Sequence, residues 1–281
     1  MQNMPLVSVV IPSYNHEKYV SDSIKSVINQ TYKNIELIVI DDGSKDNSVS
    51  IIQKLADEYK FKFIHRPNKG LCATLNEGLY LANGKYFCAV ASDDKFILDK
   101  IEKQVKFMEE NPDVAVCCGN HIEFNENYEN KISLKFDKKY NFETMLEFDL
   151  ISAPTAMIKS EVLKKLGGYD ENMIIEDLDM WLRITHAGYK IAHIDEYLTY
   201  YRNHDTNTVK NLAKMVDGIE KILQKWDYDE KFKKIADRRR LLLFRAYARK
   251  NKTIVKRYLK LAFLNIYKWR VFKYIIKYYF F

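Results

Sequence analysis

The sequence predicts an α/β protein built on a mostly parallel sheet with helices on both faces, followed by a helical C-terminal extension. Three observations predict it. Over the first 120 residues, short apolar runs rich in Val and Ile alternate with segments of helical period. The runs lack the in/out alternation of a sheet with one wet face, so both faces are covered. From 205 onward the chain has no proline and reads as helix almost throughout.

The elements follow in order. Leu6–Ile11 is a β-branched run closed by Pro12 and reads as a buried strand. Glu17–Gln30 is a helix, with Tyr19, Ile24, Val27 and Ile28 on one apolar face. Ile35–Ile40 is a second strand, ending in Asp41-Asp42-Gly43-Ser44. A helix over 47–59, a strand over 61–65 and a helix over 71–82 come next. Tyr86–Ala91 is a strand that ends in Ser92-Asp93-Asp94. The spacing predicts a helix over 96–110, stopped by Asn111-Pro112, and a strand over 114–119. Residues 120–141 are polar and read as loop with short antiparallel strands. Ser160–Leu166 is a short helix, with Ser160 as its cap and Gly167-Gly168 as its stop. Residues 176–187 are helical, and 191–194 and 197–201 are strands. The expected domains are 1–205, in two halves 1–120 and 121–205, and a basic helical region 206–281.

Composition excludes several classes. The chain has 281 residues, 47% hydrophobic and 30% charged, with 9 Gly and 5 Pro. That is neither collagen-like nor disordered, and it is long enough to bury a core without staples. The four cysteines, Cys72, Cys88, Cys117 and Cys118, form no CxxC pair, and the last three lie in apolar runs as reduced thiols. The start, MQNMPLVSVVIPSYN, has no basic region before its apolar run, which predicts no signal peptide and a cytoplasmic protein. The net charge of +7 conceals a split: residues 231–281 hold 17 Lys/Arg and the single acid Asp237.

Three polar clusters fall at strand ends, where such sheets bind ligands. They are Pro12-Ser13-Tyr14-Asn15, Asp41-Asp42-Gly43-Ser44 and Ser92-Asp93-Asp94. Adjacent carboxylates repel and are costly to desolvate, and a divalent cation resolves the repulsion. Asp94 as a helix cap is an equally good reading of that cluster. Ser44 or Asp46 would cap the 47–59 helix, whereas Asp41 points at the ligand edge. Glu176-Asp177-Leu178-Asp179 opens a helix; the macrodipole accounts for the acids, and a general base is the functional alternative. Arg202 and His204 together would suit a diphosphate or a metal. The other histidines receive no role. Gly-rich phosphate loops and nucleophile elbows are missing from the sequence.

The ordered set of motifs resembles family 2 glycosyltransferases of the GT-A fold. The matching segments are VSVVIPSYN (7–15), INQTYKNIELIVIDDGSKDNS (28–48), RPNKGLCATLNEGLYLANGKYFCAVASDD (66–94), KLGGYDENMIIEDLDMWLRI (165–184) and YYRNH (200–204). The resemblance implies inverting transfer of a sugar from a nucleotide diphosphate, usually UDP, to a hydroxyl. It places Pro12, Tyr14, Asn15, Asp41, Ser44, Arg66, Asn68 and Gly70 along the nucleotide. Asp93 and Asp94 become the DXD-type element for Mn²⁺ or Mg²⁺, with Asp94 the preferred ligand and Asp93 reaching ribose or metal. Many members carry an Asp where this chain has Ala91. Arg202 closes over the diphosphate and His204 adds a metal ligand. Asp177 is the catalytic base, and Pro154, Thr155, Gly168, Tyr169 and Glu176 border the acceptor. The pathway implied is bacterial surface polysaccharide or lipid-linked oligosaccharide synthesis.

The tail carries 13 aromatics among its basic residues and suits the anionic inner face of the cell membrane. Packing on the domain or on a second copy, as in a homodimer, is the close alternative. Nucleic acid is not expected as a partner, because the body treats a nucleotide as a small donor. The competing functions are a GT-A-like nucleotidyltransferase and a non-catalytic membrane-associated scaffold. The Asp177 region argues against the first, and only Ala91 supports the second.

Overall fold

A computed structural model describes residues 4–134, 140–148, 151–247, 251–265, 271, 273 and 275. The chain forms two compact units. The first comprises Met1–Asn141, Leu150–Glu171 and Arg183–Asp205, and the second Phe142–Asp149, Asn172–Leu182 and Thr206–Phe281.

In chain order the first unit contains β1 (Val7–Ser13), α1 (Val20–Ile28), β2 (Ile35–Asp41), α2 (Ser48–Tyr59), β3 (Lys62–His65), α3 (Leu71–Leu81) and β4 (Tyr86–Ala89). Then come β5 (Lys95–Phe96), α4 (Lys100–Glu110), β6 (Val114–Phe124) and β7 (Glu129–Ile132). After α5 (Phe142–Glu147), which belongs to the second unit, follow β8 (Met157–Lys159) and α6 (Ser160–Lys165). Helix α7 (Glu176–His186) begins in the second unit, and β9 (Lys190–Arg202) closes the first. The strands form one sheet in the order β3-β2-β1-β4-β8-β6-β9-β5, with β7 paired to β6. Strands β1 to β4 pair in parallel, as do β6 and β9; β8, β5 and β7 run antiparallel to their neighbours.

The apolar runs are buried as expected. Val7, Val9 and Ile11 of β1 and Val39 of β2 pack against Val20, Ile24 and Val27 of α1 and Ile52 and Leu55 of α2. Helix α3 approaches β1 closely at Gly78, where a Cβ would lie 2.6 Å from Val10 Cγ1. A cleft of about 400 Å³ between α1, α2 and the first residues of β2 and β3 is lined in part by Tyr32, Tyr59, Lys60 and Phe61. It opens at the strand starts, the edge opposite the polar clusters.

Three local expectations are corrected. The 96–110 helix begins only at Lys100, because Lys95 and Phe96 pair with Tyr200 and Thr199 of β9. Asp94 therefore caps no helix. Ser160 is the first helical residue rather than the cap, and its buried Oγ has no hydrogen-bond partner among the described residues. The 191–194 and 197–201 runs are one strand with an irregularity opposite Gly119, whose Cβ would meet Leu198 Cδ1 at 2.7 Å. The stop at Gly167-Gly168 is as expected, both having positive φ.

The second unit contains α5, the first turns of α7, α8 (Leu212–Lys225), α9 (Glu230–Tyr247) and α10 (Lys252–Leu264). Val216, Leu241, Phe244, Tyr258, Ala262, Val271 and Ile275 form its core. Phe142 of α5 packs edge-on against Trp226 and Phe232. Segment 142–148 thus joins the helical extension, because its aromatic face is matched there. Among the described residues, no helix is long and apolar enough to cross a membrane.

Candidate functional site

The polar clusters at the ends of β1, β2 and β4 converge within the first unit. Parallel strands put their C-terminal ends on one edge, and backbone amides left free there must find side-chain acceptors. Asp41, fully buried, accepts from the Ser44 amide (2.9 Å) and the Ser44 hydroxyl (2.6 Å), and lies 3.1 Å from His65 Nδ1. The Asn15 amide donates to Ser44 Oγ (2.8 Å), and Asn15 Oδ1 accepts from the Lys45 amide. Asn15 is held at φ 55°, a left-handed conformation that Asn tolerates better than most residues. Tyr14 is 47% exposed beside this turn, and its aromatic ring suits stacking. Ser44 caps no helix; Asp46 instead accepts from the Ser48 amide at the start of α2.

Asp42 accepts from the Lys69 and Gly70 amides at 2.8 and 2.9 Å, which folds the Asn68–Gly70 turn against the end of β2. Gly43, at φ +80°, leaves room there, since a Cβ would stand 2.8 Å from the Asn68 amide nitrogen. The Arg66 guanidinium, on the adjoining turn, binds protein groups: Asp42, Glu77 Oε2 (2.6 Å), Thr74 Oγ1 (3.0 Å) and the Pro67 carbonyl (3.1 Å).

The acid pair divides. Asp93 Oδ2 lies 2.7 Å from His204 Nε2 and 4.0 Å from His16 Nε2. His16, Asp93 and His204 each offer one ligand atom within 4.8 Å of the others, the sole such set among the described residues. Asp94, 3% exposed, accepts from the Arg202 backbone amide at 2.8 Å. Burial and the neighbouring Asp93 push the Asp94 carboxyl well above the usual carboxylate range. The carboxylate brought to the imidazoles is therefore Asp93, whereas Asp94 was the preferred ligand. Burial holds His16 below its ordinary value, with Asp93 opposing and His204 reinforcing.

The surroundings fix these groups. His16 Nδ1 meets Ser92 Oγ at 2.8 Å, leaving Nε2 for the cluster, the outer-shell arrangement typical of ligating histidines. His204 stacks on Tyr19 at 5.3 Å between centroids. The Arg202 guanidinium sits over both Tyr19 (4.6 Å) and Phe124 (4.5 Å), and its Nε donates to the Asp93 carbonyl. Two imidazoles and one carboxylate fit a first-row divalent ion such as Mn²⁺ better than Mg²⁺, which prefers oxygen ligands. His16 carried no sequence motif of its own. Its place one residue beyond the Ser13–Asn15 cluster was the usable signal.

The acceptor-side expectations fall in both units. In the first, Gly168 and Tyr169 form a turn held by Asn76, while Thr155 is fully buried with its hydroxyl bonded to the Ser152 carbonyl (2.6 Å). The Pro154 carbonyl accepts from Thr199 Oγ1 at 2.9 Å. In the second, Glu176 and Asp177 open α7, and Asp177 Oδ1 accepts from the Leu178 amide. Burial pushes Glu176 up. Asp179 is fully buried and paired with Lys225 of α8 at 2.8 Å.

The first unit thus gathers strand-end polar turns and an acid–imidazole set that could hold a cation on one sheet edge. The family model described as Glycosyl transferase family 2 matches residues 8–167, and the chain belongs to that family. An uncharacterized glycosyltransferase of Rickettsia typhi is 32% identical over 225 residues, covering 77% of this chain and 70% of that protein. Staphylococcus aureus TarS 1–349, solved with UDP-GlcNAc, superposes with a TM-score of 0.72 at 16% identity, over 97% of this chain and 88% of that one. The mannosyltransferase PcManGT of Pyrobaculum calidifontis, solved with GDP-Man and Mn²⁺, gives 0.66 at 17%, over 95% and 76%. The fold is GT-A and the protein is a glycosyltransferase.

Proposed function

We propose that the protein is an inverting glycosyltransferase that moves a sugar from a UDP-sugar to a hydroxyl of a glycan or lipid-linked acceptor in bacterial surface polysaccharide synthesis. The observation that carries the metal-assisted part of this reading is the His16–Asp93–His204 set beside the Asp41–Ser44–Asn15 cluster.

Tyr14 stacks on the base, with Pro12 behind it, and Asp41 and Ser44 meet its polar edge. Asn68 and Gly70 present backbone along the nucleotide. His16, Asp93 and His204 would hold a divalent ion, which neutralises charge on the leaving diphosphate. Arg202, locked between Tyr19 and Phe124, adds a fixed positive charge on the same side. Asp94 supports this group by anchoring the Arg202 backbone. Asp177 takes the acceptor proton as the hydroxyl attacks, and direct displacement inverts the anomeric centre. Gly168, Tyr169, Pro154 and Glu176 belong to the acceptor side. Thr155 acts there by holding the 152–155 turn. The basic region 231–281, in which Lys233, Lys234, Lys256 and Lys260 are exposed, brings the enzyme to the inner face of the membrane.

The test is a panel of UDP-sugars with and without Mn²⁺, read as nucleotide-sugar binding and UDP release. Binding strengthened by Mn²⁺, and lost with Asp93→Ala, is the expected result. If no nucleotide sugar binds under either condition, the reading is overturned.

A further inference from the structure

We infer that α3 is a brace that sets the donor-side loops and the acceptor-side turn from one rigid helix, with Glu77 and Asn76 as its positioning residues. The assignment of those two sides rests on the reading given under Proposed function.

Neighbouring side chains of α3 reach in different directions. Glu77 and Thr74 take the Arg66 guanidinium at 2.6 and 3.0 Å. The same guanidinium binds Asp42, and Asp42 holds the Lys69 and Gly70 amides. Thr74 Oγ1 also donates to the Gly70 carbonyl at 2.9 Å. Two strand-end loops, 41–44 and 66–70, are thereby tied to α3 through one planar cation, a role that needs the fork of arginine.

One residue earlier, Asn76 makes a two-way clasp. Its Oδ1 accepts from the Tyr169 amide (2.7 Å) and its Nδ2 donates to the Tyr169 carbonyl (2.9 Å). Gly168 is at φ +74°, and a Cβ there would lie 2.5 Å from Asn76 Oδ1, so the clasp needs glycine. Arg183 holds the other side of the turn through the Leu166 and Gly168 carbonyls at 2.9 and 2.7 Å. The helix cannot drift, because Gly78 seats it directly on Val10 of β1.

A helix fixed on the sheet at Gly78, with Glu77 bound to Arg66 and Asn76 to Tyr169, therefore relates the two loop systems at a set spacing. Glu77 and Asn76 need not touch substrate for this.

The experiment uses the full chain with UDP and Mn²⁺ as the probe, together with amide hydrogen exchange. Glu77→Ala should weaken UDP binding about tenfold and speed exchange over 66–70 by a similar factor, with little change in Tm. Glu77→Gln keeps an acceptor for Arg66 Nε and should restore both. Asn76→Ala should speed exchange over 167–171 and leave 66–70 protected. Gly78→Ala should loosen both segments at once. Unchanged exchange over 66–70 in Glu77→Ala, or over 167–171 in Asn76→Ala, overturns the brace. If the unsubstituted protein binds no UDP, the donor reading fails, and the exchange results decide the brace by themselves.

Discussion

Asp93 and Asp94 follow one another in the chain, yet their carboxylates meet different groups. Asp93 faces His204 and His16, and Asp94 receives the Arg202 amide. Substituting each should therefore fail differently. Asp93→Ala should abolish the Mn²⁺ dependence of nucleotide-sugar binding measured by calorimetry. Asp94→Asn keeps an acceptor for the Arg202 amide and should preserve that dependence. The base assignment is tested by Asp177→Asn, which should retain donor binding while turnover falls by about 10² to 10⁴. A fully active Asp177→Asn enzyme would remove Asp177 from the mechanism.

Lys100 shows how an element depends on one buried group. It lies on α4 with no exposure; its Nζ donates to Gln104 Oε1 (2.6 Å), is 3.8 Å from Cys88 Sγ and lies over the Phe96 ring. Burial lowers its pKa, with Cys88 and Cys117 opposing. The unfolded chain then binds more protons than the folded one between the lowered value and the ordinary lysine value of about 10.4. Stability from this residue is least below the folded pKa and rises with pH through that window. The unfolding free energy of the native protein minus that of Lys100→Met should increase toward pH 10 in urea titrations. A flat difference would mean that Lys100 stays charged in the folded state as in the unfolded one.

Strand elements were legible where apolar runs are continuous, as in β1 and β2, whose burial on both faces is written in their own residues. Residues 95–96 were not legible as strand. Their pairing partners, Tyr200 and Thr199, lie about a hundred positions away, and a two-residue strand has no period of its own. The split reading of β9 has the same origin: the interruption reflects close packing at Gly119, which only the partner strand reveals.

For the whole molecule, the basic tail is partly internal. Arg240, 7% exposed, binds Glu220, Asp227 and Asp237, and Arg239 donates to the Met145 and Leu146 carbonyls at the end of α5. Arg240→Ala should destabilise the protein by about 3 kcal/mol in urea unfolding, since three carboxylates lose their shared cation. These arginines are therefore taken from any membrane-facing charge. Lys233, Lys234, Lys256 and Lys260 are exposed. Reversing all four to Glu should weaken binding to anionic vesicles, by about 1 kcal/mol per residue, without lowering Tm. Unchanged or salt-insensitive binding would count against the membrane reading. Arg249, Lys250, Lys268, Arg270, Lys277 and the terminal Tyr278–Phe281 lie outside the described residues.

The sequence by itself determined the α/β alternation, the strand-end clusters, the helical extension and the family. Each of these is written in local period or in motif order, which need no knowledge of distant contacts. Tertiary structure alone decided that His16 joins Asp93 and His204, that Asp93 and Asp94 part company, and that Arg66 binds protein. It also decided that Arg239 and Arg240 turn inward. The physical reason is common to all four. A side chain's role is set by the groups that satisfy its charge or hydrogen bonds, and for His204 and Asp93 those groups stand over a hundred residues apart.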